Sequence, residues 1–157
     1  MTPPNIAIYN WIRQAFDFRS RASRSDFWWP RLFVFVINLV LLFVFFSGLG
    51  PERTQAMLEV LASGDITVEA LGLEDLPPMS LFALVFAIVF GLMTFIPDLS
   101  VAWRRFHDMG RPGWLHLVFL LAGSFIVFAT IVEHAWLAMP GNPGPNRFGP
   151  DPRDRWR

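Results

Sequence analysis

"LFVFVINLVLLFVFFSGL", residues 32–49, decides the fold. Its eighteen positions hold no Asp, Glu, Lys or Arg. A helix rises about 1.5 Å per residue, and about 20 mostly apolar residues cross ~30 Å of hydrocarbon. The run therefore has the length and composition of a membrane span. Two others match it: "MSLFALVFAIVFGLMTFIP" at 79–97 and "GWLHLVFLLAGSFIVFATIV" at 113–132, again without a charged side chain. Helices of soluble cores carry a polar stripe on one face, and these runs do not. Apolar residues make up 54% of the chain and charged residues only 17%, against roughly 25% in ordinary soluble domains. The expectation is an all-α integral membrane protein with three transmembrane helices, at 27–49, 79–103 and 113–139.

The connecting stretches fill in a single membrane domain. In "NIAIYNWIRQAFD" (5–17), Ile8, Trp11, Ile12, Ala15 and Phe16 recur at helical spacing, with Asn10, Arg13, Gln14 and Asp17 opposite. That pattern predicts an amphipathic helix, lying in the membrane interface or docked on the protein's own surface. Ser23 with Asp26 three residues on resembles a capping box that starts the first span. Trp28 and Trp29 suit the aromatic belt of a bilayer, and Pro30 predicts a kink. The 50–78 loop is acidic, with Glu52, Glu59, Asp65, Glu69, Glu74 and Asp75 against Arg53 alone. Ala83, Ala87 and Gly91 fall at spacing four and predict the helix-packing seam of span two. Asn38 and Thr94 are placed to hydrogen-bond across helices. Pro97 and Asp98 interrupt the end of that span, and the tail 140–157 is too rich in Pro, Gly and Asn for regular structure.

The thirteen basic residues are all Arg. Five precede span one, one lies in 50–78, three in the charged turn 104–112 and four in the tail. Three full spans put eight arginines on the N-terminal side and five on the other. Arginine excess marks the cytoplasm, which favours a cytoplasmic N-terminus. A re-entrant hairpin over 113–139 would instead divide them twelve against one, so the side of the tail stays open, with the outside favoured. The first apolar run starts after 31 residues without a clear cleavage site and reads as a retained span.

The turn itself, "VAWRRFHDMGRPGW" (101–114), crowds Arg104, Arg105, His107, Asp108 and Arg111 between two apolar runs. Such arginines reach lipid phosphates at headgroup depth. Asp108 follows Arg104 by four and Arg105 by three, within pairing distance on a helix. His107 and Asp108 point about 100° apart and do not converge on one ion. On a continuous helix His116 and His134 would share a face yet stand ~27 Å apart. With no cysteine, nucleophile elbow, phosphate loop or paired-His spacing, the reading is no catalytic residue, no metal and no cofactor. A net charge of zero and a pI near 6.8 leave no basic stripe for nucleic acid.

"RRFHDMGRPGW" (104–114) resembles the Arg-Arg-Leu-His-Asp-(x)-Gly-(x)-Ser-Gly-Trp signature of the domain of unknown function 805 family, small bacterial inner-membrane proteins. "FRSRASRSDFWW" (18–29) and "GPNRFGPDP" (144–152) resemble its other two blocks. The matching positions are Arg21, Ser23, Arg24, Phe27 and Trp28, then Arg104, Arg105, His107, Asp108, Gly110, Gly113 and Trp114. Gly144, Asn146, Phe148, Gly149, Asp151 and Pro152 complete them. Ser20, Phe106 and Pro112 depart from the usual Gly, Leu and Ser, and the 50–78 loop is longer than the family's usual connection. The resemblance implies an inner-membrane location and an architecture, and transfers no activity.

The candidate site is then an interfacial cluster of Arg21, Arg24, Arg104, Arg105 and Arg111. Asp26 and Asp108 would partly neutralise it, with His107 inside it and Trp28 and Trp114 setting its depth. If the first two blocks meet, Asp108 would bridge to Arg21 or Arg24 and lock spans one and two. The expected function is an accessory component that binds anionic lipid headgroups or a membrane-protein partner, with homo-oligomers open. The rival is an oligomeric small transporter or channel component using Asp98 and His116.

Overall fold

The computed structural model describes residues 1–64, 67, 72–123 and 125–156, the last two by backbone only. Asp65 and Glu69 of the acidic loop lie outside the described residues. Five helices follow in order: α1 (Pro4–Arg13), α2 (Arg24–Ser63), α3 (Pro78–Asp108), α4 (Leu115–Gly123) and α5 (Val127–Ala138). Short 3-10 turns occupy Leu73–Asp75 and Pro152–Trp156, and no strand forms among the described residues.

Two of these helices, α2 and α3, are long and apolar enough to cross a membrane. They are also bare: Phe43 is 73% exposed, Leu92 72% and Met93 72%. Side chains of that size stay uncovered only where the surrounding medium is itself apolar, because burying each stabilises by about 1.5–3 kcal/mol in water.

The expected single helix over 113–139 is not there. Two helices stand in its place: α4, nine residues, ends at Gly123, and α5, twelve, starts at Val127. At ~1.5 Å per residue they reach about 14 and 18 Å, short of ~30 Å. They pack on each other as an antiparallel hairpin: His116 meets Glu133, Phe119 meets Trp136, and Gly123 meets Thr130. A Cβ on Gly123 would fall 2.5 Å from the Thr130 hydroxyl, so the missing side chain lets the hairpin close near its tip. The Phe125 and Ile126 amides both donate to the Ala122 carbonyl.

The chain divides into two compact units, residues 1–33 with 93–157, and residues 34–92. In the first, Ala7, Trp11 and Ala15 of the N-terminal segment are buried at four-residue spacing, while Tyr9, Ile12 and Phe16 are exposed. The apolar face read from the sequence thus splits. Small residues and one Trp dock inward, and bulky Ile12 and Phe16 look out. Ser23 and Asp26 form a full capping box. Each side chain accepts from the other's backbone amide, at 3.3 and 3.0 Å, and Ser23 Oγ also donates to Asp26 at 2.6 Å. No break occurs at Pro30; α2 departs from helical dihedrals at Gly50, where φ is +78°. That left-handed value costs a glycine little.

In the second unit, α2 and α3 come together at Gly48. A Cβ there would lie 2.5 Å from Ser80 Oγ, which donates to the Phe45 carbonyl at 2.8 Å. Of the expected seam, Ala83 is buried, but Gly91 is exposed and a Cβ on it would meet nothing within 4 Å. A side chain at Gly91 would therefore have open space, while the close approach of α3 to α2 falls at Gly48. Asn38 does not reach across either, its amide donating back to the Val34 carbonyl at 2.9 Å.

Candidate functional site

The charged turn, the end of the first block and the tail converge in the first unit. The C-terminal end of α3 carries Arg104, Arg105, His107 and Asp108, all buried. Arg21, just before α2, reaches Asp108 with Nε at 3.1 Å and Nη2 at 2.9 Å. Its remaining donors are used by backbone: Nη1 donates to the Gly144 and Gly149 carbonyls at 2.7 and 3.2 Å, and Nη2 to Asn142 at 2.7 Å. Arg105 pairs with the other oxygen of Asp108 and donates to the carbonyls of Leu137, at 3.0 Å, and Met139. Those carbonyls end α5, where a cation complements the helix dipole. One carboxylate and two guanidiniums thus fasten the segment before α2, the end of α3, the end of α5 and the tail.

Several local features make this closure possible. A Cβ on Gly141 would lie 1.8 Å from Asp108 Oδ2, and one on Gly113 2.0 Å from the Trp103 ring. Only residues without a side chain fit at either point. The Ala22 amide donates to the Arg104 carbonyl at 3.1 Å, the Asn142 amide to the Asp108 carbonyl at 2.9 Å, and Asn146 Nδ2 to the His107 carbonyl at 2.9 Å. The His107 ring stacks on Phe148 at 3.8 Å, nearly parallel, and its Nδ1 lies 3.2 Å from the Ser20 carbonyl. Burial pushes the imidazole below its usual range, against the help of those backbone carbonyls. In the tail, hydrogen bonds from Arg153 hold the Asp151 carboxyl well below the usual carboxylate range. Asp151 also accepts from the Gly144 amide at 3.1 Å.

Other candidates stand apart from this core. Asp26 is engaged in the capping box and forms no ion pair with an arginine among the described residues. Arg104 turns to Gln14 of the N-terminal segment. Arg24 and Arg111 are exposed, as are Trp28 and Trp114. Arg111 lies over the Trp136 ring at 5.9 Å. Arg147 sits over Phe148 at 4.7 Å and donates to the Gly110 carbonyl at 3.3 Å. Among the described residues Arg24, Arg111 and Arg147 have no carboxylate partner.

A second polar layer lies where the apolar runs end. Asp98 accepts from Trp11 Nε1 at 3.1 Å and lies 3.9 Å from Arg31. His116 Nδ1 meets Glu133 at 2.5 Å, both buried. The ~27 Å separation of His116 from His134 assumed one continuous helix. In the hairpin, the partner of His116 is Glu133, which the sequence reading passed over although it directly ends the 113–132 run. Among the described residues no three His, Asp or Glu gather as a metal site.

The family described as "Protein of unknown function (DUF805)" matches residues 15–150. The inner membrane protein YhaH of Escherichia coli strain K12 is 30% identical over 142 residues, 90% of this chain and 92% of that protein. The inner membrane protein YhaI of the same strain is 37% identical over 83 residues, 53% of this chain and 60% of that one. No solved structure shows a significant match.

Proposed function

The chain belongs to that family, and from this premise we propose that it is an accessory component of the bacterial inner membrane that holds anionic phospholipid headgroups on an arginine-rich cytoplasmic face. No catalytic step is part of this role. The observation that carries it is the division of labour among the arginines. Arg21 and Arg105 spend their donors on Asp108 and on backbone carbonyls. Arg24, Arg111 and Arg147 remain exposed, without a carboxylate partner among the described residues. Guanidiniums backed by aromatic rings are oriented at little further entropy cost and grip phosphate through paired donors. Exposed Trp28 and Trp114 suit headgroup depth.

The hairpin supports an orientation. Arg31 and Asp98 end the first two apolar runs at one level, 3.9 Å apart. His116, three residues into the third run, and Glu133, directly after it, lie side by side. A segment whose two ends meet returns to the side it entered. We therefore infer two spans and one re-entrant hairpin, with both termini cytoplasmic and twelve of thirteen arginines on that side, in keeping with the positive-inside rule. The same pairings weigh against transport, since each candidate pathway residue is already engaged by a neighbour.

Native mass spectrometry from a lipid-preserving detergent tests the role. Wild type should retain anionic phospholipid, and the triple variant Arg24→Gln/Arg111→Gln/Arg147→Gln should lose it while staying folded. Equal retention by both proteins would sink the lipid role. A co-purifying acidic protein lost in the variant would transfer the rim to a protein partner.

A further inference from the structure

Asn38 lies seven residues past Arg31, roughly 10 Å into the apolar run at ~1.5 Å per residue, and it is exposed. One amide hydrogen is used by the Val34 carbonyl of its own helix. The side-chain oxygen and second hydrogen have no partner among the described residues, and lipid tails offer none. A polar group left unpaired in hydrocarbon is costly. Beside it runs an open groove of about 420 Å³, lined by Phe35, Leu39, Leu42 and Phe45 on α2 and by Ala83 and Ala87 on α3. Bulky residues form its ridge and small ones its floor, on one face of the 34–92 unit.

We propose that this face is a self-association surface, occupied by a second copy of the chain docked through the same face, with the two Asn38 amides hydrogen-bonded to each other. A carboxamide carries donor and acceptor together, so its dipole is complementary to itself under two-fold symmetry. Asn38 then meets its own counterpart at the axis, and away from it each contact occurs twice, residue i of one copy with j of the other and j with i. The ridge of one copy, at Leu39 and Leu42, enters the floor of the other at Ala83 and Ala87. The close approach that small residues permit strengthens the pairing. This surface is independent of the arginine rim and of the lipid role.

The test is energy transfer between full-length copies in liposomes. The sequence contains no lysine, so amine-reactive donor and acceptor dyes label the α-amino group alone. Wild type should associate with a concentration-dependent signal. Asn38→Leu should weaken association roughly tenfold, on the scale of one to two interhelical hydrogen bonds, with an unchanged melting curve. Asn38→Gln should recover part of the loss. Association of Asn38→Leu equal to wild type, or a wild type monomeric at every dilution, would overturn the proposal. So would cross-linking through this face to a different membrane protein alone.

Discussion

Arg21 and Asp108 stand 87 residues apart in the chain and meet at 2.9 Å, their side chains 1% and 4% exposed. An ion pair this well covered repays its desolvation only when its other hydrogen-bonding groups are also satisfied. Here three backbone carbonyls accept from Arg21, and Arg105, itself tied to two more carbonyls, pairs with the other oxygen of Asp108. Removing the carboxylate leaves two buried cations facing one another. Asp108→Ala should therefore cost about 3–5 kcal/mol, read as a large fall in melting temperature in mild detergent. An unchanged melting curve would mean that the knot contributes nothing to stability.

Gly141→Ala tests the same closure from the other side. The added methyl would overlap Asp108 Oδ2 at 1.8 Å, with backbone on one side and a tied carboxylate on the other. The tail should detach before the helices melt, so protease should cut after residue 140 in the variant while wild type resists. Equal resistance would show that the tail does not need the close approach.

The His107–Phe148 stack should make stability depend on pH. Burial lowers the folded imidazole below its usual 6.5, so the fold prefers the neutral ring. An unfolded chain takes up the proton near 6.5. The stabilisation is complete above that value and is lost as pH falls below it, through the lowered folded value. Arg147 over Phe148 adds to the cost of protonation, and Asp17 reduces it. Melting temperature should decline from about pH 7 to about pH 5, and His107→Phe should flatten the decline. A flat wild-type profile would contradict the assignment.

Glu133→Leu removes the partner of His116 inside the hairpin and should cost about 1–3 kcal/mol, the usual cost of a buried polar group left unpaired. Glu133→Gln keeps a hydrogen-bonding partner and should recover most of that. Equal melting of all three proteins would show that the pair does not hold α4 to α5.

Apolar runs, the capping box at Ser23 and the crowding of charge at 104–112 are all visible in sequence, because each is a local pattern. Direction is not local. "GWLHLVFLLAGSFIVFATIV" has the length and composition of a span whether it crosses or turns back. Gly123 at the turn, Glu133 at the exit and four arginines in the tail are the sequence features in keeping with the proposed return. The spacing of Ala83, Ala87 and Gly91 was legible as well, but the close approach of α3 to α2 at Gly48 and Ser80 was not. Which arginines would be buried was equally hidden. Arg21 and Arg24 differ by three positions, but only Arg21 lies within reach of Asp108 and the tail carbonyls.

The side on which the tail emerges is the measurement to make first. Reporter fusions at residue 157 read it directly: a fluorescent protein that matures only in the cytoplasm, and a phosphatase active only outside it. A hairpin that returns gives a bright fluorescent fusion and an inactive phosphatase, with the same result at the N-terminus. An active phosphatase at the C-terminus alone would mean that 113–139 crosses the membrane. The arginine-rich face, and the lipid role built on it, would then come apart.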